Sequence, residues 1–242
     1  MGNPSDLTTD TDLPSGAKFH NSIAVGWAAG YARGGFAKRL LCFQSVLKRR
    51  VQPGQLWLDL GCGSGVLTQE LMNLGAEVVA VDGSPEMLKQ ARANVGSVNG
   101  KQPTWIQGDV QSLPALQVGT FDGVLCSSVI EYVEQPEALL SETLRVLRPG
   151  GSLVISLPPR FAAVRAAQKA IRKFGGLIGL NKFSYLGVSR FELAPRRAAE
   201  WLNAAGFSLD RVTSFDPVLP DVLLSVFRPA LLVFEARKKI IE

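Results

Sequence analysis

A glycine-rich segment and an acidic residue downstream of it form the pattern that points most directly to chemistry. Gly61, Gly63 and Gly65 alternate with other residues directly after an apolar run that contains Asp59. Glycines at such a turn allow the backbone to fold tightly and to approach a ligand closely. Asp82 ends the next apolar run, about 20 residues further on, where a carboxylate can accept hydrogen bonds from both hydroxyls of a ribose. The pattern predicts a nucleotide-like ligand; the alternative is a turn that serves only the fold, with Asp82 as a helix cap.

The elements that must position these residues follow a regular alternation along the chain. Apolar runs predict strands at 56–60, 77–81, 104–107, 121–126 and 152–156. Amphipathic stretches between them predict helices at 66–74, 85–95 and 136–147. Strands that are separated by helices form parallel sheets. Two final runs predict an antiparallel strand pair, at 208–215 and 231–237.

The same segments resemble, in order, the sequence motifs of the class I S-adenosylmethionine-dependent methyltransferases. Asp59 followed by the alternating glycines resembles their motif I, whereas a dinucleotide-binding turn would carry glycine in place of Val66. Further similar segments lie at 81–88, 108–110, 121–124, 130–133 and 144–151. The resemblance covers about residues 55–157. It implies an α/β fold with a Rossmann-like, seven-stranded, mostly parallel sheet, one antiparallel strand and a small helical cap.

The resemblance implies S-adenosyl-L-methionine as the cofactor and assigns residues to its methionine end. Asp59, Gly61 and Gly63 are expected to surround the methionine moiety, with Cys62 between the glycines in the same turn. Asp59 or backbone carbonyls would take the ammonium group, and N–H groups of the glycine loop would approach the ligand. Ser127, at the end of the fourth strand, is expected to line the sulfonium side.

The nucleoside end of the cofactor is assigned to three later segments by the same resemblance. Asp82, followed by Gly83, is expected to bind the ribose hydroxyls. Asp109 is expected to accept a hydrogen bond from the adenine amino group, with Val110 on the ring face. Met87 is expected to pack near the adenine.

Three residues are candidates for catalysis. Methyl transfer from a sulfonium releases a neutral thioether, so most of the rate comes from alignment, but a hydroxyl acceptor usually needs a base. The related quinone-biosynthesis enzymes often show Glu-His-Val after the fourth strand, whereas this chain has Glu131-Tyr132-Val133 and lacks that histidine. The candidates are therefore Glu131, His20, which is the only histidine, and Tyr31. The alternatives are a structural carboxylate, a packing histidine and an apolar anchor, respectively.

A basic amphipathic helix is predicted in the segment 160–180, which the resemblance places after the fifth strand. Apolar residues recur there at spacings of three and four: Phe161, Val164, Ala167, Ile171, Phe174 and Ile178. Basic residues fill other positions: Arg160, Arg165, Lys169, Arg172 and Lys173. The helix is interpreted as a lid over the substrate, as a contact with an anionic membrane surface, or as a packing element with a solvated basic face.

Composition excludes several classes of partner. Basic residues are dispersed in a chain of net charge +5, and only 3 Tyr and 4 Trp are available to stack on bases, so no nucleic-acid partner is expected. Three separated cysteines and one histidine predict no metal site and no disulfide framework. With no signal peptide and no apolar run long enough to span a bilayer, a cytoplasmic protein is expected, with peripheral membrane contact through 160–180 as an option.

The domain organisation follows from these patterns. Residues 1–18 are polar and are expected to form a disordered tail, followed by one methyltransferase domain at 19–242. The domain is divided into a core and a covering cap, at about 51–157 and 195–242 for the core and about 19–50 and 158–194 for the cap.

The function that the resemblance implies is methyl transfer to a small or lipophilic molecule, with oxygen as the expected acceptor atom. One alternative is N- or C-methylation of a biosynthetic metabolite. Others are an RNA or protein methyltransferase and an S-adenosylmethionine-binding protein without catalysis. The Asn/Asp-Pro-Pro-Tyr motif of base N-methylation is replaced here by Cys126-Ser127-Ser128-Val129, which counts against that reaction.

Overall fold

The computed structural model describes residues 13–175, 184–219, 221–225 and 227–240. Within these ranges the chain forms one seven-stranded sheet with the order β3-β2-β1-β4-β5-β7-β6. Its strands are β1 (Leu56–Leu60), β2 (Glu77–Asp82), β3 (Thr104–Gln107), β4 (Phe121–Cys126), β5 (Leu147–Leu157), β6 (Phe207–Phe215) and β7 (Leu231–Lys238). The first five strands pair in parallel, and β7 is antiparallel to both of its neighbours. The predicted Rossmann-like sheet is confirmed.

Helices alternate with the strands and also precede them. They are α1 (Ser15–Ser22), α2 (Gly34–Arg50), α3 (Val66–Asn73), α4 (Pro85–Asn94), α5 (Pro136–Val146), α6 (Ala163–Gly175) and α7 (Pro195–Ala204). The start of α4 is fixed as the sequence predicts, because the Ser84 hydroxyl accepts from the Met87 N–H at 3.0 Å and Pro85 takes the first helical position. The backbone that follows β2 is thus fixed by capping interactions within the same short segment.

Two apolar clusters cover the two faces of the sheet. Neighbouring residues of β1 point to opposite faces, so Leu58 joins the cluster of Phe207 and Phe234, whereas Trp57 joins the cluster of Phe43. Trp57 lies against Gly123 of β4, where a Cβ atom would come within 2.4 Å of the indole ring. This close packing fixes the register of the two central strands, whose carboxyl ends carry predicted site residues.

Two predicted boundaries differ from the structure. Helix α1 begins at Ser15, so residues 15–18 are helical rather than part of a tail; residues 1–12 lie outside the described ranges. Strand β5 begins at Leu147, where a turn at 149–151 had been predicted before a strand at 152–156. Leu147 pairs with Phe121 and Ser152 with Gly123, so the residues between bulge outwards at Gly150, whose φ is +73°.

Helix α6 corrects the prediction for the basic segment. Arg165 is buried with 6% exposure because it forms ion pairs with carboxylates of other segments, so the alternative of a solvated basic face does not hold for this residue. Residues 176–180, the end of the predicted helix, lie outside the described ranges. In the part of the chain that is described, no helix has both the length and the apolar character needed to cross a bilayer.

Candidate active site

A cavity of about 580 Å³ lies at the carboxyl ends of β1, β2, β3 and β4, where open parallel sheets bind ligands. Helix α1 covers it, and residues of α2, α6 and the end of β6 complete its walls. Every site residue predicted from the sequence lines this one cavity: Asp59, Gly61, Cys62, Gly63, Asp82, Gly83, Met87, Asp109, Val110, Ser127, His20, Tyr31 and Glu131. The fold therefore brings together segments that are far apart in sequence.

The three glycines of the loop after β1 have different structural roles. A Cβ atom on Gly61 would lie 2.3 Å from Val129, and one on Gly65 would lie 2.6 Å from Val95, so both glycines allow close packing. Gly63 has a φ of +54°, and a Cβ atom there would meet no atom within 4 Å. Gly63 is therefore the glycine that keeps space open on the cavity side.

The N–H groups of this loop do not point to a ligand as expected. Gly61 and Cys62 donate to the carbonyl oxygen of Val81 at 2.8 and 3.1 Å, and Gly63 donates to Asp82 Oδ2 at 2.8 Å. Buried acceptors at the end of β2 need hydrogen-bond partners, and the loop supplies them. The expectation of direct donation to the ligand is therefore corrected for these three groups: they hold the loop against β2.

Asp82 is held in a fixed orientation at the cavity wall. Its Oδ1 accepts from the Ser84 N–H at 2.8 Å, and its Oδ2 accepts from Gly63. Burial raises the pKa of Asp82, and these hydrogen bonds oppose that effect. Each carboxylate oxygen can accept a further hydrogen bond, so the group is suited to a pair of neighbouring hydroxyls.

Asp59 lies deeper in the same wall and is 2% exposed. The Thr68 hydroxyl donates to its Oδ2 at 2.6 Å. Burial raises the pKa of Asp59 to about 7, an effect that the Thr68 hydrogen bond opposes and the charge of Asp82 reinforces. A cationic group bound nearby would stabilise the ionised form.

Arg39 is a cavity residue that the sequence analysis missed. It lies in α2, and its Nη2 donates to Ser127 Oγ at 2.6 Å, while its buried Nε has no hydrogen-bond partner among the residues that the structure describes. A buried guanidinium N–H that lacks an acceptor is suited to an anionic ligand group. A signal was available, because Arg39 precedes the buried residues Phe43, Val46 and Leu47 by four, seven and eight positions and so shares their helix face.

The nucleoside side of the cavity has one exposed carboxylate and apolar walls. Asp109 accepts hydrogen bonds from the Gln111 N–H at 3.0 Å and from the Gln111 side chain. Met87 and Val110 are buried beside it. Gly83 contacts α1, since a Cβ atom there would lie 3.0 Å from Ala17. Helix α1 is therefore packed directly over this part of the cavity.

Aromatic rings line part of the same cavity, and we call this part the acceptor end. Its rings are those of His20, Trp27, Tyr31, Phe36 and Tyr132. The His20 ring lies edge-on to Tyr132 with centroids 4.8 Å apart, and Tyr31 contacts Phe36 with centroids 5.0 Å apart. The acceptor end is thus suited to an apolar or planar group.

Glu131 is buried next to the acceptor end and is part of an ion-pair network. Its Oε2 accepts from Arg165 Nη2 at 3.0 Å and from Ser189 Oγ at 2.6 Å. Arg165 also pairs with Glu192, at 3.2 Å. The network ties α6 to the loop after β4, which favours the structural alternative for Glu131.

Comparisons with known proteins agree with this geometry. The family described as a methyltransferase domain matches residues 58–155. A ubiquinone biosynthesis O-methyltransferase of Xanthomonas axonopodis pv. citri (strain 306) is 33% identical over 170 residues, which is 68% of this chain and 67% of that protein. Its counterpart in Xanthomonas campestris pv. campestris (strain B100) is 32% identical over 69% of each chain. The aligned part thus spans about two thirds of the length of these relatives.

Solved structures share the fold at low sequence identity. Magnesium protoporphyrin IX methyltransferase from Synechocystis PCC 6803, solved with S-adenosylhomocysteine bound, superposes with a TM-score of 0.68 at 22% identity, over 92% of this chain and 98% of that one. A Haloferax volcanii methyltransferase, solved in a complex with its Trm112 activator, gives a TM-score of 0.68 at 18% identity, over 94% and 99% of the two chains. Together with the cavity residues, the relatives show that the chain belongs to the S-adenosylmethionine-dependent methyltransferases.

Proposed function

We propose that this enzyme transfers a methyl group to an oxygen atom of a small, lipophilic, phenol-like acceptor. The observation that carries the proposal is the aromatic lining of the acceptor end, directly beside the residues that suit the cofactor. The relatives that align over two thirds of their length are O-methyltransferases of ubiquinone biosynthesis, which supports oxygen as the acceptor atom. The cavity volume of about 580 Å³ leaves room for a planar ring beside the cofactor.

The cavity fits S-adenosylmethionine by its chemistry, and we assign its parts accordingly. Arg39, with its unpartnered Nε, holds the carboxylate, and Asp59 holds the ammonium group. Asp82 binds the ribose hydroxyls, next to the space that Gly63 leaves open. The remaining predicted residues complete the site: Gly61, Cys62, Gly83, Met87, Asp109, Val110 and Ser127. When bound, the cofactor supplies an electrophilic methyl group.

The side chains of the acceptor end orient the acceptor and exclude water. We assign the predicted catalytic residues to this end: His20, Tyr31 and Glu131. Alignment of the acceptor oxygen with the methyl carbon supplies most of the rate enhancement, since the leaving group is neutral. The cap at about 19–50 and 158–194 provides this alignment, because α1, α2 and α6 contribute walls to the cavity.

The segment around α6 acts both as a lid and as a membrane contact in this proposal. Its inner side lines the cavity through Arg165 and Gln168. Its outer side exposes Phe161 by 72% and Phe174 by 64%, and two exposed cations, Arg172 and Lys173, lie between them in sequence.

A second exposed segment adjoins the first. Arg228 Nη1 donates to the carbonyl oxygen of Arg160 at 3.0 Å, and Phe227 and Val222 are exposed by 46% and 77%. Exposed apolar side chains between cations suit an anionic bilayer surface. We define the membrane face as these exposed residues: Phe161, Ile171, Arg172, Lys173, Phe174, Val222, Phe227 and Arg228.

The experiment that tests the proposed function uses a geranylated catechol in mixed micelles as the acceptor. The purified chain is incubated with S-adenosylmethionine, and mass spectrometry follows the acceptor and S-adenosylhomocysteine. The proposal expects a mono-methoxy product in equal amount to S-adenosylhomocysteine, and less of both with the Asp82→Ala variant when S-adenosylmethionine is kept below the Kd of that variant. Cofactor binding without methylation of any catechol offered would overturn it.

A further inference from the structure

We infer that the Nε2 atom of His20 is the base that takes the proton of the acceptor hydroxyl. The inference rests on the proposed function and names the group that carries out one step of it. His20 is the only histidine of the chain, it lies in α1, and its ring lines the acceptor end of the cavity.

The hydrogen bond of His20 defines which ring nitrogen is basic. Nδ1 lies 2.8 Å from the carbonyl oxygen of Gly16, one helical turn earlier. A carbonyl oxygen only accepts, so Nδ1 carries the hydrogen in this contact. A neutral imidazole has one protonated nitrogen, and Nε2 therefore holds the free lone pair. The backbone of α1 thus sets the tautomer that a general base requires.

The aromatic neighbours fix the position of the ring. Phe19, Trp27 and Tyr132 all contact it edge-on, with centroids 5.2, 5.9 and 4.8 Å away. Helix α1 is held against the loop after β4, because a Cβ atom on Gly16 would lie 2.8 Å from Tyr132 Cβ. Helix α1 thus carries the imidazole to the loop that follows β4, where its ring contacts Tyr132.

The rival groups are occupied by other contacts. Both hydrogen bonds that Glu131 receives from Arg165 and Ser189 fall on Oε2 and stabilise the buried carboxylate. Burial raises the pKa of Tyr132 well above its ordinary value, so it stays a phenol. Tyr31 contacts the Phe36 ring edge-on, with centroids 5.0 Å apart. His20 is the remaining group of the three predicted catalytic residues.

The proton balance of the step is simple. The O–H bond of the acceptor breaks and its proton goes to Nε2. The acceptor oxygen takes the methyl group, and the electron pair of the broken carbon–sulfur bond stays on sulfur. The ring then releases the proton to water.

The first test reads the ring directly and needs no acceptor. Because the chain has one histidine, an untagged protein with ¹⁵N-labelled histidine gives a single set of ring signals. At pH 8 the inference expects the shifts of the tautomer with hydrogen on Nδ1 and none on Nε2. Signals of the opposite tautomer would overturn it.

The second test compares variants at saturating cofactor with the geranylated catechol. His20→Gln keeps a polar side chain of similar length and is expected to lower kcat by about 10²–10⁴-fold while S-adenosylmethionine binding stays within a factor of three. Added imidazole should restore part of the activity of His20→Gly. Trp27→Leu is the control for packing around the His20 ring, and added imidazole should restore none of the activity that this variant loses.

The outcomes separate the inference from the proposed function. A His20→Gln variant with unchanged kcat would overturn the role of His20 while leaving O-methylation in place. A wild-type enzyme that methylates no catechol would overturn the proposed function and, with it, the base.

Discussion

Gly63 and Asp82 meet in the cavity wall, where the Gly63 N–H donates to Asp82 Oδ2 at 2.8 Å. This bond joins the loop after β1 to the end of β2, the two segments that carry the first and second sequence motifs. It holds the carboxylate in place, and the side of Gly63 that would carry a Cβ atom faces open space. Gly63 therefore leaves the space, and Asp82 supplies the hydrogen-bond acceptors, that binding of a ribose would require.

Removing the Asp82 carboxylate should weaken cofactor binding. We expect Asp82→Ala to raise the Kd for S-adenosylmethionine by about 10- to 100-fold, through lost charge-assisted hydrogen bonds worth about 1–3 kcal/mol. Asp82→Asn should raise the Kd by a smaller factor, since the amide oxygen of asparagine still accepts a hydrogen bond from a backbone N–H. Calorimetric titration measures both values. A folded Asp82→Ala variant with the wild-type Kd would contradict the ribose assignment.

Substitution of Gly63 and of Gly61 should have different effects on cofactor binding and on stability. Gly63→Ala places a methyl group in open space at a φ of +54°, so it should cost about 1–2 kcal/mol of stability and also weaken cofactor binding. Gly61→Ala places it 2.3 Å from Val129 and should destabilise the fold more strongly. Urea unfolding and cofactor titration distinguish the two. Equal stability loss in both variants would contradict the distinction between them.

Arg39 should recognise the carboxylate of the cofactor. Arg39→Met is expected to weaken S-adenosylmethionine binding by about 10- to 100-fold, because a buried charge-assisted pair is lost. Binding of 5′-methylthioadenosine, which has no carboxylate, should change by less than threefold. The matched control is Lys38→Met, since Lys38 is exposed on the same helix. If Arg39→Met lowered the affinity for both ligands by the same factor, Arg39 would be acting through packing and not through the carboxylate.

Cofactor binding should depend on pH through Asp59. The pKa of Asp59 is about 7, so its ionised fraction falls as the pH drops below that value. The cofactor ammonium binds the ionised form, and affinity should fall by up to tenfold per pH unit below 7. Above about pH 8 the α-amino group of the ligand loses its own proton, so affinity should be highest between pH 7 and 8. Titrations from pH 5 to 9 measure this dependence.

Asp59→Asn provides the control for that dependence. The variant should bind weakly at every pH and show no fall below pH 7. It should also unfold less readily than wild type at pH 8, because a raised carboxyl pKa in the folded chain means that stability falls as pH rises towards 7. A variant that kept the wild-type pH dependence would show that another group titrates.

The membrane face should bind anionic vesicles through exposed aromatic residues. The double variant Phe161→Ser, Phe227→Ser is expected to lose at least tenfold in affinity for vesicles that contain phosphatidylglycerol. Val118→Ser is the matched control, because Val118 is 70% exposed but precedes β4, at the end of the sheet opposite the cavity. Co-sedimentation measures the bound fraction. Equal binding by all three proteins would exclude this surface as the contact.

Local sequence patterns predicted most of the sheet and the segments that line the cavity, because the structure of these parts depends on residues that are neighbours in the chain. Ser84 and Pro85 define the start of α4 by themselves, and the alternation within β1 follows from its own side chains. Asp59 and Asp82 could be placed at the cavity, since Asp59 lies near the carboxyl end of β1 and Asp82 ends β2. These parts of the site are encoded in short stretches of sequence.

The remainder of the site depends on pairs of residues far apart in the chain. A solvated basic face was one of the alternatives for the helix that carries Arg165, but Glu131 and Glu192 supply ion-pair partners that periodicity does not reveal. The Gly63 N–H was expected to face a ligand, but it donates a hydrogen bond to the Asp82 carboxylate instead. The hydrogen bond between Arg39 and Ser127 was not predicted, because 88 positions separate the two residues in the chain.

The most direct test of the account is a competition between acceptor atoms. Geranylated catechol and the matching geranylated aniline are offered together, at equal concentration, with S-adenosylmethionine, and the products are resolved by mass spectrometry. Methyl transfer to a lipophilic oxygen acceptor predicts that the methoxy product forms in at least tenfold excess over the N-methyl product. Preferential formation of the N-methyl product would contradict the proposed function.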